Sequence, residues 1–331
     1  MTFSYISLVL ALFLHLPLLS SAAPIWHEHY RQLTRRGSYT LSKSYEGDTF
    51  FDNMKFFSDT DPTHGFVDYQ TKEEAMNKGL AKVEDGVVIL AVDSTTTLDV
   101  GTNRSSVRVS STDTYNGGLF IYDIAKMPVG PTTWPAIWST AEANWPDNGE
   151  IDVIEGTTES TGNQITMHTG AGCTLTTGQA ITGTTVDSEL TCESGGSNNN
   201  GCPTKDPDTS SFGAGFNSAG GGVFAELWDP SVGIKVWRWS QGSVPEDITS
   251  KSPDPSSWGN PVSFIPNGQA CGIADHFKDH NIIIGTYLPV CGDWAGATYS
   301  GTGTCQEAVA VASNYVDAQW KINSIRVYQT S

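Results

Sequence analysis

Basic residues are scarce in this chain. The 331-residue sequence contains 18 Lys and Arg against 36 Asp and Glu, which gives a formal net charge of −18. Such an acidic surface repels phosphate backbones, so nucleic acid is excluded as an expected partner. Charged residues make up only 16% of the sequence, while Ser, Thr and Asn are abundant, and this composition favours an extracellular, hydroxyl-rich surface.

No apolar run is long enough to cross a bilayer. Residues 6–19 are apolar apart from Ser7, His15 and Pro17, whereas a membrane span needs about 20 residues. Small residues at 20–23 follow, as they do at signal-peptide cleavage sites. We therefore expect a secreted, extracellular protein with no membrane partner and a signal peptide over residues 1–22.

The dibasic pair Arg35-Arg36 leaves two interpretations of the segment that follows the signal peptide. Residues 23–36 are either a propeptide that is removed at this pair or an ordinary charged tail. In both cases no linker, repeat or second domain divides residues 37–331, and we expect them to form a single domain.

Cysteines are few and none lies in a C-x-x-C pair, which argues against zinc-ribbon and thioredoxin-like sites. An even number in a secreted chain predicts three disulfides, although six cysteines allow about 15 pairings and the sequence does not choose among them. The six are Cys173, Cys192, Cys202, Cys271, Cys291 and Cys305.

Phosphate-loop and serine-hydrolase motifs are also missing: the sequence has no G-x-x-x-x-G-K-[ST] and no G-x-S-x-G. His276 and His280 stand four residues apart, but the Glu of an H-E-x-x-H zinc motif is absent. We expect no cofactor and no metal, and a monomer whose partner is its substrate.

Long amphipathic helices and alternating strand–helix units are absent too, which leaves an all-β fold. Short alternating or apolar runs recur every 10–20 residues or so, as they do in antiparallel sandwiches. The predicted strands cover residues 39–45, 65–70, 87–92, 107–110, 119–124, 165–168, 223–228, 234–239, 281–288 and 320–328. Only residues 72–80 predict a helical turn, and the Gly- and Ser-rich stretch 170–222 predicts an ordered insertion beside a cleft.

The most informative stretch is Glu150-Ile-Asp-Val-Ile-Glu155, in which β-branched residues separate three carboxylates. In a regular strand Glu150 and Asp152 share one face, but strict alternation would turn Glu155 into the core. An unpaired buried carboxylate costs several kcal/mol, whereas a β-bulge disturbs a hydrogen bond worth about 1 kcal/mol. We therefore predict a bulge near Val153 and Ile154 that returns Glu155 to the acidic face.

A row of Glu, Asp and Glu on one sheet face suits glycoside hydrolysis. One Glu can act as nucleophile and the other as general acid and base, while the carboxylate between them holds a proton and separates their pKa values. The alternative is a calcium-binding or simply solvated acidic edge strand.

Several motifs in the same order resemble glycoside hydrolase family 16, and within it the fungal secreted laminarinase type, the endo-1,3(4)-β-glucanases. The central one is the E-x-D-x-x-E signature formed by Glu150, Asp152 and Glu155. The others are Arg104-Ser-Ser-Val-Arg108, Trp134-Pro-Ala-Ile-Trp138, Asn144-Trp-Pro-Asp-Asn-Gly-Glu150, His168-Thr-Gly170, Cys291-Gly-Asp-Trp294 and Ser324-Ile-Arg-Val-Tyr328. This resemblance implies a β-jelly-roll sandwich of two antiparallel sheets with a concave substrate groove.

The resemblance also implies a retaining mechanism. Glu150 would attack the anomeric carbon, Glu155 would act as acid and then as base, and Asp152 would support Glu150. No cofactor is needed for this chemistry.

The aromatic and polar residues near these motifs have two interpretations each. By resemblance Trp138, Trp145 and Trp294 contact glucan, since sugar C–H faces stack on indole rings, and His168 hydrogen-bonds near the acid/base. Core packing is the alternative role for each of these residues. For Trp134, core packing and substrate contact are equally favoured. Core packing is preferred for Trp228, Trp237, Trp239 and Trp320.

Arg104 matches a substrate-side arginine in similar enzymes and is expected to face the groove with Arg108, with a salt bridge to the excess carboxylates as the alternative. Asn103 begins the N-x-[ST] sequon Asn103-Arg104-Ser105 and is a candidate glycosylation site. A glycan there would have to point away from the groove.

These observations predict a secreted endo-β-glucanase acting on β-1,3-glucans and mixed β-1,3/1,4-glucans. A cell-wall glucan transglycosylase is the alternative among enzymes, because both reactions share the glycosyl-enzyme. A non-catalytic glucan-binding lectin is the alternative from another class, and it would require one of the three carboxylates to be missing.

Overall fold

Strands dominate the computed structural model, which describes Met1 and residues 39–196, 198–287 and 299–330. The expected signal peptide, the candidate propeptide, Cys291 and Trp294 lie outside these residues. The strands are β1 (Tyr39–Tyr45), β2 (Met54–Phe57), β3 (Val67–Tyr69), β4 (Ala81–Glu84), β5 (Val87–Ala91), β6 (Arg104–Ser106), β7 (Arg108–Ser111), β8 (Gly118–Lys126), β9 (Trp134–Thr140), β10 (Glu150–Glu155), β11 (Gln164–His168), β12 (Thr184–Thr185), β13 (Thr204–Lys205), β14 (Gly222–Asp229), β15 (Gly233–Ser240), β16 (Ser263–Pro266), β17 (Asn281–Tyr287) and β18 (Gln319–Thr330).

Two eight-stranded antiparallel sheets make up most of the fold. The back sheet has the order β16-β15-β14-β8-β18-β5-β4, and β1 also pairs with β18. The front sheet has the order β12-β13-β11-β10-β9-β17-β7-β2 and contains the acidic strand β10 near its centre. This is the predicted sandwich, with an additional parallel pair formed by β3 and β6.

The main core lies between the two sheets. Ile151, Val153 and Ile154 of the front sheet share one apolar cluster with Phe224 and Trp320 of the back sheet. Alternation along each strand produces this cluster, because every second side chain of both sheets points to the same layer.

Two of the Trp residues predicted to be structural, Trp228 and Trp320, are buried in this core. A second apolar cluster contains Trp237, with Trp239 packed against it. The preferred packing interpretation therefore agrees with the position of all four residues.

Helices are short and peripheral. They are α1 (Lys72–Asn77), α2 (Gly213–Ser218), α3 (Glu246–Thr249), α4 (Ile273–His276) and α5 (Cys305–Ala310). Thr71 and Glu74 form a capping box that starts α1 at the predicted helical turn. Among the described residues, no helix is sufficiently long and apolar to cross a membrane.

The segment between β11 and β14 is ordered wherever it is described, as the cysteines suggested. Disulfides join Cys173 to Cys271 and Cys192 to Cys202, and Cys305 is also disulfide-bonded. In the chain-entropy picture, closing loops of 98 and 10 residues stabilises the folded state by about 5 and 3 kcal/mol respectively.

β9 was not among the strands predicted from the sequence, although it lies in the centre of the front sheet. Pro135 lacks a backbone N–H and argues against a central strand. In the structure Pro135 lies only one residue inside the strand, opposite Thr286, and the rest of β9 pairs on both sides with β10 and β17. Tertiary pairing therefore outweighs the local signal.

Candidate active site

β10 changes its pairing register at Val153. Toward β9, Asp152 lies opposite Trp138 and Ile154 lies opposite Ile137, so Val153 is an extra residue. Toward β11 the register also shifts between Asp152 and Glu155. This is the predicted β-bulge, and because of it Val153 and Ile154 both enter the core.

The bulge returns Glu155 to the face that carries Glu150 and Asp152. Trp134 Nε1 donates to Glu155 Oε1 over 3.1 Å, and Thr166 Oγ1 donates to Oε2 over 3.4 Å. Thr166 lies directly opposite Asp152 on β11. The two hydrogen-bond donors to Glu155, Trp134 and Thr166, therefore belong to the outer, concave face of the front sheet. Only 7% of Glu155 is exposed, yet its surroundings there are polar and aromatic rather than aliphatic.

His168 faces the other two carboxylates. Its Nε2 lies 3.4 Å from Asp152 Oδ2 and 3.8 Å from Glu150 Oε1. The family resemblance implied a histidine near the acid/base Glu155, but the groups that hydrogen-bond Glu155 are Trp134 and Thr166. His168 instead lies opposite Glu150 across the β10–β11 pair.

Burial raises the pKa of all three carboxyl groups. The pKa of Glu150 and that of Asp152 lie well above their ordinary values, because desolvation and the charge of neighbouring carboxylates both disfavour ionisation. Desolvation also raises the pKa of Glu155, while the charge of His168 and the hydrogen bonds from Trp134 and Thr166 act in the opposite direction. The site is therefore built to hold protons as well as negative charge near neutral pH.

Two of the tryptophans expected to contact substrate lie beside these acids. Trp138 is opposite Asp152 on β9, so its side chain shares the concave face. Trp145 is 37% exposed and hydrogen-bonds Glu150, which opposes the rise in the pKa of that residue. Trp134, for which packing and function were equally favoured, packs on Tyr287 while it contacts Glu155.

Arg104 does not reach the concave face, so the expectation that it binds substrate is corrected. Its side chain is fully buried, its Nε donates to the Val309 carbonyl, and its Nη1 donates to the carbonyls of Asp93 and Thr96. The guanidinium also stacks on the ring of Tyr315. Arg104 ties β6 to the C-terminal part of the chain.

The parity argument for Arg104 and Arg108 failed because they belong to different sheets. Arg104 lies in the small parallel pair formed with β3, and Arg108 begins β7 of the front sheet after a break at Val107. Alternation holds only within one continuous strand. Asn103 is exposed beside Arg104, so the sequon stays a candidate with no conflict with the groove.

Arg108 is the site residue that the sequence undervalued. Its guanidinium lies 5.2 Å from the Trp138 ring and 4.5 Å from the Phe57 ring, and it pairs with Glu142. Arg108 Nε is buried and makes no hydrogen bond to any of the described residues. A signal was available, since an arginine beside indole rings on a sheet face suits hydroxyl binding.

The side chains of Glu150, Asp152 and His168 bring one potential ligand atom each to within 4.8 Å of one another. This spacing would suit a small cation, and it would equally suit the exchange of a proton among the three side chains.

His276 and His280 do not form a joint site in the described structure. His280 is fully buried, its Nδ1 lies 2.9 Å from Ser139 Oγ, and its Nε2 donates to the Asn148 carbonyl over 2.7 Å. Burial lowers the pKa of His280 to about 4, so the ring is neutral. It holds the loop that leads into β10.

Comparison with known proteins agrees with this geometry. Residues 54–328 match the family description "XgeA-like, catalytic GH16 domain". The chain belongs to glycoside hydrolase family 16. It is accordingly a glycoside hydrolase with the jelly-roll fold of that family.

Two fungal relatives illustrate the similarity of this family 16 chain. It is 40% identical to a probable glycosidase of Schizosaccharomyces pombe over 92% of its own length and 71% of that protein. It is 37% identical to an endo-1,3(4)-beta-glucanase of Arthroderma benhamiae over 88% of its length, and it spans only 65% of that relative.

Solved family 16 structures share its fold. Laminarinase 16A from Phanerochaete chrysosporium, described with 6-O-glucosyl-laminaritriose in donor and acceptor sites, superposes with a TM-score of 0.83 at 37% identity, over 88% of this chain and 100% of that one. An elongating family 16 beta-1,3-glucosyltransferase superposes with a TM-score of 0.79 at 37% identity, over the same shares.

Proposed function

We propose that this family 16 enzyme is a secreted endo-β-glucanase that hydrolyses β-1,3-glucans and mixed β-1,3/1,4-glucans with retention of configuration. The observation that carries the proposal is the bulge at Val153, which sets Glu150, Asp152 and Glu155 on one face of the sheet. The names of the fungal relatives support the substrate class.

The roles are those that membership of family 16 implies. Glu150 attacks the anomeric carbon and displaces the leaving oxygen, which takes a proton from Glu155. Water then attacks the glycosyl-enzyme, gives its proton to Glu155 and releases Glu150. Asp152 stands between the two, and its raised pKa lets it hold a proton when Glu150 is ionised.

The concave face also supplies sugar-binding groups. Trp145 offers an exposed indole beside Glu150, and Trp138 offers a partly buried indole opposite Asp152. Sugar C–H faces stack on such rings. Arg108 packs against the Trp138 ring and supports this sugar-binding surface from below.

A glucan transglycosylase is the second candidate, and a specific observation favours keeping it. The chain is as similar to an elongating beta-1,3-glucosyltransferase as to laminarinase 16A, at 37% identity for each. Hydrolysis and transfer share the glycosyl-enzyme and differ only in whether water or a sugar hydroxyl attacks it.

Mass spectrometry of the products from laminarin, lichenan and cellulose tests the function directly. Internal cleavage of laminarin and lichenan supports the proposal, and products longer than an added oligosaccharide acceptor indicate transfer instead. No release of reducing ends from any glucan would leave the lectin interpretation and reject the enzyme.

Secretion is tested on the native protein. Recovery from the culture medium with an N-terminus near residue 23 or 37 supports it, and retention of the full chain in cells contradicts it.

A further inference from the structure

The loop closed by the Cys192–Cys202 disulfide is attached to β11 on both sides of His168. Thr169 N donates to the Cys192 carbonyl over 2.8 Å, and Ser194 N donates to the Thr169 carbonyl over 2.9 Å. Cys202 N donates to the Met167 carbonyl over 3.0 Å. The residues before and after His168 are therefore fixed to the two ends of one short disulfide-bonded loop.

Ser194 brings this loop into contact with the imidazole itself. Its Oγ lies 2.8 Å from His168 Nδ1, and the same hydroxyl donates to the Cys192 carbonyl over 3.3 Å. Ser194 is 8% exposed and His168 is 7% exposed, so water competes little for either group.

Gly201 of the same loop also packs against the imidazole ring of His168. A Cβ at this position would lie 2.9 Å from His168 Cε1 and 2.6 Å from the Met167 carbonyl oxygen. The backbone conformation also has a φ of +63°, which favours glycine. The loop therefore packs tightly against the imidazole and leaves it little room to rotate.

A serine hydroxyl has a single hydrogen. When that hydrogen is directed at the Cys192 carbonyl, Ser194 Oγ accepts from Nδ1–H, which leaves Nε2 facing Asp152 and Glu150. One proton can lie either on Asp152 or on Nε2, and in both states Nδ1–H has the same acceptor.

From this geometry we propose that Ser194 is a positioning residue for catalysis. It fixes the tautomer and orientation of His168, so that Nε2 can take the proton of Asp152. This transfer leaves a negative charge on Asp152 and places a positive imidazolium beside Glu150, which favours the ionised form of Glu150. The proton moves only between Asp152 Oδ2 and His168 Nε2, and no other bond changes. The charged groups facing Nε2 are Glu150 and Asp152 of β10. The charge of His168 also acts on Glu155. Glu193, the charged residue beside Ser194 in the loop, is exposed.

This inference rests on the proposed function, and the assay separates the two. Ser194→Ala removes the acceptor for Nδ1–H and is expected to lower kcat on laminarin about tenfold, the effect of losing about one hydrogen bond, with KM within about twofold. The acid limb of the pH–rate profile should also change, because Nδ1–H has lost its acceptor and the proton is shared differently between Asp152 and Nε2. Ser194→Thr keeps the hydroxyl and should restore most of kcat.

Asn200→Ala is the matched control, since Asn200 is an exposed residue of the same loop, and it should leave kcat and the profile unchanged. Equal kcat and pH profiles for wild type and Ser194→Ala overturn the positioning role, while a wild type inactive on every glucan overturns the function instead. If Ser194→Ala does not fold, ¹⁵N NMR of the wild-type imidazole decides. A proton on Nδ1, in a neutral or a doubly protonated ring, supports the proposal, and a neutral ring with its single proton on Nε2 refutes it.

Discussion

The indole Nε1 of Trp134 donates to Oε1 of Glu155 across 3.1 Å. Trp134 is the first residue of β9 and Glu155 is the last residue of β10, so the contact joins the ends of two adjacent strands. A donor held against a carboxylate stabilises its ionised form, and this bond opposes the rise in the pKa of Glu155 that burial causes.

Replacing Trp134 by Phe should therefore raise the pKa of Glu155 further. Since the acid/base must be protonated for the first step, the basic limb of the kcat/KM profile should move to higher pH. We expect kcat to fall about tenfold, because the carboxylate also loses its orienting partner. An unchanged basic limb in Trp134→Phe would show that Glu155 is not the group that titrates there.

Glu150→Gln and Glu155→Gln should each reduce laminarin hydrolysis on the order of 10³-fold or more, while circular dichroism shows an intact fold. An aryl glycoside with an acidic leaving group separates the roles. It departs without protonation, so Glu155→Gln should still form the glycosyl-enzyme and accumulate it, whereas Glu150→Gln should form none.

Exposed Glu193→Gln is the control for the loss of a carboxylate, and its activity should match that of wild type. The role assignment would be reversed if Glu150→Gln rather than Glu155→Gln accumulated the intermediate.

Arg104 and Arg108 form a matched pair of buried arginines with different expected effects. Arg104→Met leaves the carbonyls of Val309, Asp93 and Thr96 without their donor and should lower the free energy of unfolding by at least about 3 kcal/mol. Its kcat and KM per folded molecule should not change. Urea titration followed by kinetics at low temperature measures both quantities.

Arg108→Met should affect substrate binding more than the free energy of unfolding, because Arg108 lies on the concave face against Trp138. We expect KM for laminarin to rise about tenfold or more, since the Trp138 ring on which the sugar stacks loses the cation packed against it. A normal KM in Arg108→Met, or a raised KM in Arg104→Met, would contradict the placement of substrate along β7 and β9.

Glu226 introduces a pH dependence into folding itself. It is 1% exposed, accepts a hydrogen bond from Tyr122 over 2.8 Å, and burial raises its pKa to about 7. Between an unfolded pKa near 4.5 and this value the native state binds more protons than the unfolded state. Stability is therefore fully present at acidic pH and falls as pH rises through about 7.

Glu226→Gln removes the charge at nearly constant shape. At pH 8 it should be more stable than wild type by up to about 3 kcal/mol relative to their difference at pH 4, as measured by urea unfolding at both values. The comparison isolates Glu226, because the active-site acids contribute equally to both proteins. Parallel stability curves from pH 4 to pH 8 would exclude the effect.

The local sequence was sufficient for the features that depend on neighbours along the chain. Alternating apolar residues predicted β1, β5, β14 and β15 close to their observed bounds. The helical turn predicted over residues 72–80 contains α1. A comparison of free energies predicted the bulge, since burying an unpaired Glu155 would be far less favourable than losing one hydrogen bond between strands.

Features that depend on pairing between distant segments could not be predicted in this way. β9 was missed because Pro135 gives a local signal against a strand that neighbours on both sides stabilise. Arg104 was misplaced because the break at Val107 puts it in another sheet. The register of β11 sets His168 opposite Glu150, from where its charge also acts on Glu155, and no pattern along the chain gives this placement.

The sequence by itself therefore determined the all-β class, the identity of the three acids and the need for a bulge between them, because alternation and burial cost act within one strand. Only the tertiary structure decided which side chains surround each acid. Strand order, register and the position of the Cys192–Cys202 loop bring together residues that are far apart in the chain, and no short-range pattern encodes those distances.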